Sequence, residues 1–71
     1  MKEKVIEIMK TIFECENIDK DSNPNTIDSW DSLNHVKMIA VLEEEFDVEF
    51  DHDEIIEMLS LEKILNVLAG K

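Results

Sequence analysis

The sequence is poor in the residues that mark several large classes of protein. Its 71 residues include one cysteine, one glycine and one proline, and they include neither arginine nor tyrosine. The single Cys15 cannot form an internal disulfide, so a disulfide-stapled secreted domain is excluded. No long apolar run follows Met1, and neither a signal peptide nor a membrane-spanning segment is therefore expected. Together these absences predict a cytoplasmic protein.

Positive charge is also scarce. Seven basic and 18 acidic side chains give a formal net charge of -11. Such an excess of carboxylates repels nucleic acid and anionic lipid, and it favours protein partners with basic patches. Because 44% of the residues are hydrophobic, the chain is expected to fold despite its charge. This length predicts that residues 1–71 form a single small domain. Such a domain is too small to contain a deep enclosed active site.

Apolar residues at helical spacing predict an all-α protein. A first amphipathic helix runs from Lys2 to about Cys15, and a second runs from the N-cap Asp31 to about Phe46. A short helix after Asp51 and a last helix after the N-cap Ser60 complete a small four-helix bundle. No segment shows the alternation of a strand. The cysteine is interpreted as a thiol at the edge of the core.

A long polar loop separates the first two predicted helices, from Glu16 to Asp31. It is rich in residues that hydrogen-bond locally and compete with helix formation. Three apolar side chains are expected to attach it to the core: Ile18, Ile27 and Trp30. Ordered loops of this length are often functional.

The second helix has two apolar faces. One is expected to face the core and comprises Met38, Ile39, Leu42 and Phe46. The other comprises Leu33, Val36 and Ala40, flanked by Asn34, Lys37, Glu43 and Glu44. One helix of a small bundle cannot bury both faces, so the second set either packs under the long loop or forms a docking surface for partners.

Ser32 lies in the first turn of this helix, beside the second apolar face. It is either a helix cap, since serine is preferred at helix N-termini, or a site of modification. An attached phosphate would be favoured there, because negative charge is stabilised at a helix N-terminus by about 0.3–1 kcal/mol. No base is expected next to its hydroxyl: His35 projects toward the core, and His52 lies in another element. A catalytic triad is therefore excluded.

The run Asp31-Ser32-Leu33 resembles the attachment motif of acyl carrier proteins, in which the serine is esterified to 4'-phosphopantetheine. The similarity covers nearly the whole chain, including the long polar loop, the run from Leu42 to Asp47 and the short acidic third helix. Trp30 and Asn34, which flank the motif, make it more similar to stand-alone carriers of specialised pathways.

The resemblance implies a non-catalytic carrier. Ser32 would hold the covalent 4'-phosphopantetheine arm, whose thiol carries acyl groups as thioesters in fatty acid, polyketide or related biosynthesis. Asp31 would assist the phosphopantetheinyl transferase that installs the arm. Acyl ligases, synthases or transferases with basic patches would dock on the second helix at Leu33, Val36, Lys37, Ala40, Glu43 and Glu44. The protein is expected to be a monomer.

Three alternatives remain at this point. The same resemblance also fits a carrier of aminoacyl or peptidyl groups. A helical adaptor without a prosthetic group would follow if Ser32 were only a cap. A calcium loop is suggested by Asp19, Asp21, Asn23 and Asn25, but Pro24 stands where such a loop needs glycine, and Trp30 stands where it needs glutamate. His35, His52 and Cys15 lack metal-ligand spacing, so neither a metal site nor an enzyme is expected.

Overall fold

The computed structural model describes residues 1–71 and is entirely helical. Helix α1 spans Lys2–Phe13, α2 spans Ser32–Phe46, α3 spans His52–Glu57 and α4 spans Leu61–Ala69. The prediction of three main helices, one short helix and a long loop after the first helix is confirmed. None of the four helices is both long and apolar enough to cross a bilayer.

The core lies between α1, α2 and α4. Helix α1 packs against both of the others, and each of the three buries one apolar face. The predicted core residues of α2 are buried, apart from Phe46, which is half-buried. Fourteen apolar side chains form the core: Val5, Ile8, Met9, Phe13, Ile27, Trp30, Met38, Ile39, Leu42, Phe50, Met58, Leu61, Ile64 and Leu68.

Helix α3 differs from the others because none of its side chains is fully buried. It begins with a capping box in which the Asp51 carboxylate accepts from the Glu54 N–H at 2.8 Å, while the Glu54 carboxylate accepts from the Asp51 N–H at 3.0 Å. The two buried side chains that hold this part of the chain are Phe50 and Met58, which lie just outside the helix. Helix α3 is thus anchored mainly at its ends, with the half-buried Ile55 as its only apolar contact with the core along its length.

The loop from Glu14 to Asp31 is attached to the core as expected. Ile27 and Trp30 are buried, Ile18 is half-buried, and the Trp30 ring stacks on Phe13 with ring centroids 4.7 Å apart. The Lys20 carbonyl also accepts from the Glu62 N–H at 3.3 Å, which ties the loop to α4. The loop is therefore an ordered part of the fold.

Short-range hydrogen bonds account for the polar residues that resemble a calcium loop. The Asp19 carboxylate accepts from the Asp21 N–H at 2.9 Å, and the Asn23 side-chain oxygen accepts from the Asn25 N–H at 2.7 Å. These are Asx turns, in which a side chain replaces a backbone carbonyl. The residues thus have a structural role in shaping the loop.

Two helices end on residues other than glycine in a left-handed conformation. Glu14 follows α1 with φ 52°, and Asp47 follows α2 with φ 53°. A left-handed residue stops the helix, so α1 ends at Phe13 rather than at the predicted Cys15. The thiol of Cys15 is half-buried beyond the helix end, in agreement with its predicted place at the edge of the core.

Candidate functional site

Ser32 is the first residue of α2 and is exposed to solvent. The cap of this helix is the preceding residue, Asp31, which has extended backbone angles of φ -105° and ψ -179°. One carboxylate oxygen of Asp31 accepts from the Asn34 N–H at 2.9 Å. Capping is therefore the role of Asp31, and the Ser32 hydroxyl is not needed for it.

The segment before Ser32 is held firmly on both sides. The Ser29 hydroxyl donates to the Phe13 carbonyl at the end of α1, and the Ser29 carbonyl accepts from the Asn34 side-chain amide at 2.8 Å. Between them Trp30 is buried, with 4% of its surface exposed. These contacts place Ser32 on a fixed corner of the fold, and not on a free part of the loop.

His35 connects three parts of the molecule. The indole N–H of Trp30 donates to Nδ1 of His35 at 3.0 Å, so Nδ1 must carry a lone pair. The proton of the neutral ring is therefore on Nε2, which donates to the Ile55 carbonyl in α3 at 2.8 Å. The sequence predicts that His35 projects toward the core, but nothing in its pattern indicates these two partners. With both nitrogens engaged, His35 is not available as a base for Ser32.

An open groove of about 620 Å³ lies beside Ser32. Helix α2 forms one wall, and the region of α3 forms the other. Val36 and Ile56 give it an exposed apolar lining, with 61% and 53% of their surfaces accessible. The full lining comprises Pro24, Trp30, Asp31, Ser32, His35, Val36, His52, Ile56 and Leu59.

The contribution of α3 to this surface is not evident from the sequence. Ile55 and Ile56 are adjacent, and a six-residue helix is too short for its periodicity to show which of them faces solvent. The structure leaves Ile56 and Leu59 exposed and Ile55 half-buried. The apolar surface near Ser32 therefore extends from α2 onto α3.

The residues predicted to dock partners do not all have the same surroundings. Five are exposed along α2: Leu33, Val36, Lys37, Ala40 and Glu44. Glu43 is half-buried, and its carboxylate accepts from the Phe50 N–H at 2.9 Å. Glu43 thus has a structural contact that the sequence does not reveal.

A cation lies against the first turn of α3. Nζ of Lys71 is 2.7 Å from the Glu54 carboxylate and 5.6 Å from the centre of the Phe50 ring. The hydrogen bond from Lys71, followed by the bond from the Asp51 N–H, lowers the pKa of Glu54 below its usual value of 4.5. This carboxylate is thus held in its charged form.

The corner at Ser32 suits an attached phosphate. The positive end of the α2 dipole favours negative charge there, and the hydroxyl is exposed rather than engaged in capping. The adjacent groove offers an apolar surface beside this hydroxyl. No group of three or more His, Cys, Asp or Glu side chains is arranged to hold a metal ion.

Comparison with known proteins gives a match in structure but none in sequence. No family model matches the chain, and no curated protein matches it significantly. Among solved structures it is similar to a putative acyl carrier protein from Mycobacterium tuberculosis, with a TM-score of 0.87. The two are 18% identical in sequence, and the match covers 97% of this chain and 95% of the other. The chain therefore has the fold of an acyl carrier protein.

Proposed function

We propose that residues 1–71 act as a carrier protein that holds acyl intermediates on a 4'-phosphopantetheine arm attached to Ser32. One observation carries the proposal: on this fold, Ser32 begins α2 with an exposed hydroxyl while the adjacent Asp31 caps the helix. Because its hydroxyl makes no capping hydrogen bond, this serine is suited to modification.

Attachment of the arm is a phosphoryl-type transfer from coenzyme A. The Ser32 oxygen forms a new bond to the phosphorus that carries the pantetheine, and the pyrophosphate bond of coenzyme A breaks. Adenosine 3',5'-bisphosphate leaves, and the hydroxyl proton passes to a base of the phosphopantetheinyl transferase. An external base is needed because both ring nitrogens of His35 are already engaged. Asp31, beside the attachment site, would assist the transferase.

The arm supplies a thiol that carries acyl groups as thioesters, and the chemistry of chain building belongs to partner enzymes. This chain contributes a surface. Acyl ligases, synthases or transferases would contact the exposed Leu33, Val36 and Ala40, while Lys37 and Glu44 at the rim would orient them. A net charge of -11 favours partners with basic patches and makes docking sensitive to salt. The proposed location is the cytoplasm.

The exposed Ser32 supports an arm but does not select its cargo. Fatty acid, polyketide and related pathways, and pathways that use aminoacyl or peptidyl groups, share the same attachment chemistry. Loading assays with acyl and aminoacyl ligases on the modified protein would distinguish these cargo classes. A thioester formed with one class alone would assign the pathway type.

Intact-mass spectrometry tests the proposal directly. Incubation with coenzyme A, magnesium and a broad-specificity phosphopantetheinyl transferase is expected to add the mass of one phosphopantetheine group. Ser32→Ala should abolish the gain, whereas Ser60→Ala should retain it, because Ser60 caps α4. If the wild-type mass is unchanged, or if Ser32→Ala still gains the group, the chain is not a carrier modified at Ser32. An adaptor without a prosthetic group would then be the better assignment.

A further inference from the structure

Helix α3 is too short to be stable by itself. It has six residues, and isolated helices of fewer than about 12 residues are marginal in water. None of its side chains is fully buried, and its one apolar contact with the core is made by the half-buried Ile55, so packing holds it only weakly along its length. Its position relative to α2 therefore also depends on contacts at its ends and on polar contacts to its backbone.

The polar contacts of α3 differ in strength. The pair between Lys71 and Glu54 is partly open to solvent, and exposed ion pairs contribute little to stability. The bond from His35 to the Ile55 carbonyl is part-buried and reaches directly from α2 to α3. It also continues through the ring to the indole of Trp30. Connected bonds away from water strengthen each other.

This connection has only one workable proton arrangement. Trp30 can donate only if Nδ1 of His35 has no proton, and His35 can donate to the Ile55 carbonyl only if Nε2 has one. The neutral ring with the proton on Nε2 satisfies both partners. The buried Trp30 thereby fixes the orientation of the His35 ring that is bonded to α3.

The apolar surface beside Ser32 depends on the same contact. Val36 on α2 and Ile56 on α3 line the same groove. Ile56 follows the residue whose carbonyl His35 binds, so a shift of α3 would move it directly. Without α3 in place, only the half of the surface on α2 would remain.

We propose that His35 is a positioning residue that fixes α3 against α2 and so assembles the two-helix apolar surface beside Ser32. Only the use of this surface for docking rests on the proposed function. The positioning itself concerns the chain alone and is tested without any partner.

Hydrogen exchange compares three forms of the protein. Gln at position 35 offers both an acceptor atom and a donor nitrogen, as neutral histidine does, whereas Leu offers neither. We expect His35→Leu to accelerate exchange of the Ile55 and Met58 amides at least fivefold, with the Ile64 and Leu68 amides of α4 unchanged. His35→Gln should restore at least part of the protection in α3. Equal acceleration in α3 and α4, or none in α3, would overturn the proposal.

Nitrogen-15 NMR of the wild-type imidazole gives a second test that needs no variant. We expect the neutral ring of His35 to be the tautomer protonated on Nε2, while the exposed His52 should show an average of its two tautomers. A His35 ring protonated on Nδ1, or an average like that of His52, would also overturn the proposal.

Transferase kinetics then address the use of the surface. His35→Leu is expected to raise KM for the carrier about fivefold or more, with kcat little changed, and His35→Gln should lie near wild type. An unchanged KM alongside faster exchange in α3 would show that His35 positions α3 but that this surface does not serve transferase docking. If wild-type protein is not modified at all, the proposed function fails, while exchange and NMR still decide the role of His35.

Discussion

The carboxylate of Glu43 accepts a hydrogen bond from the backbone N–H of Phe50 at 2.9 Å. This bond spans the turn that leaves α2 and leads into α3, and the Phe50 side chain is buried at the same point. Two adjacent glutamates of α2 therefore differ in role: Glu43 organises the turn, and Glu44 faces solvent.

Removal of these two glutamates should affect stability unequally. Glu43→Ala leaves the Phe50 N–H without its partner and is expected to cost about 1–3 kcal/mol in the free energy of unfolding. Glu44→Ala removes the same charge from an exposed site and should change it by less than about 0.5 kcal/mol. Urea denaturation of both variants measures the difference. Equal losses would mean that the bond to Phe50 contributes nothing to stability.

Val36 and Leu42 provide the corresponding test for apolar residues of α2. Val36 is 61% exposed, so Val36→Asp should leave stability almost unchanged while it slows arm attachment or acyl transfer. Leu42 is fully buried, and Leu42→Ala should cost about 2–5 kcal/mol without slowing transfer to the folded protein. Asn66→Asp on α4 controls for the added charge. A large loss of stability in Val36→Asp with normal transfer would place Val36 in the core.

The chain has its only glycine where the backbone does not require one. Gly70 ends α4 at φ -82°, whereas Glu14 ends α1 at φ 52°. Glu14→Gly should stabilise the protein by about 0.5–1 kcal/mol, because left-handed angles strain a residue that has a side chain. Gly70→Ala should stabilise it by about 0.4–1 kcal/mol, since a Cβ there meets the Val67 carbonyl at an ordinary 3.5 Å.

Thermal denaturation of both glycine variants checks these signs. Asp47→Gly is a useful third variant, since Asp47 is also left-handed, at φ 53°. Aspartate tolerates these angles better than glutamate does, so its gain should be the smaller. A destabilised Glu14→Gly would show that the glutamate side chain has a compensating contact.

Stability should depend on the ionisation of Glu54. Its pKa is lowered in the folded protein by Lys71 and by the Asp51 N–H. A carboxyl with a lowered folded pKa contributes stability above its unfolded pKa, and this contribution is lost as the pH falls through the folded pKa. Glu54→Gln keeps a side chain able to complete the capping box but removes the charge. It should therefore be less stable than wild type at pH 7.

The difference between Glu54→Gln and wild type should be fully present above about pH 4.5, the usual pKa of this carboxyl, and should shrink as the pH falls through its lower pKa in the folded protein, where Glu54 becomes neutral as well. Urea denaturation at a series of pH values measures it. Lys71→Gln should reproduce the loss at pH 7, and in the double variant the two losses should not add. A difference that stays constant from pH 7 to pH 3 would contradict the role given to the charge.

Much of the fold can be predicted from local sequence patterns. Helical spacing predicts α1, α2 and α4, and the caps Asp31 and Ser60 lie where the pattern of short polar residues places them. The exposure of Leu33 and Val36 follows from the same periodicity, because a helix that buries Met38 and Leu42 turns the opposite face outward.

The hydrogen bonds that sequence reasoning missed are tertiary. The bonds from Glu43 to Phe50 and from His35 to Ile55 join residues 7 and 20 positions apart, and no periodic pattern records such pairs. The left-handed angles of Glu14 and Asp47 are equally unexpected, since glycine is the usual residue there. The hydrophobic pattern of a sequence shows which residues are buried. It does not show which hydrogen-bond partner a polar group has.

The position of Trp30, stacked on Phe13, also provides an intrinsic fluorescent probe. Trp30 is the only tryptophan of a chain that has no tyrosine, so nearly all of its ultraviolet fluorescence comes from this one indole. That indole lies where the end of α1 meets the loop, two residues before Ser32, and is bonded to the histidine that reaches α3. Its emission can thus follow events at the corner that carries Ser32 in unlabelled protein.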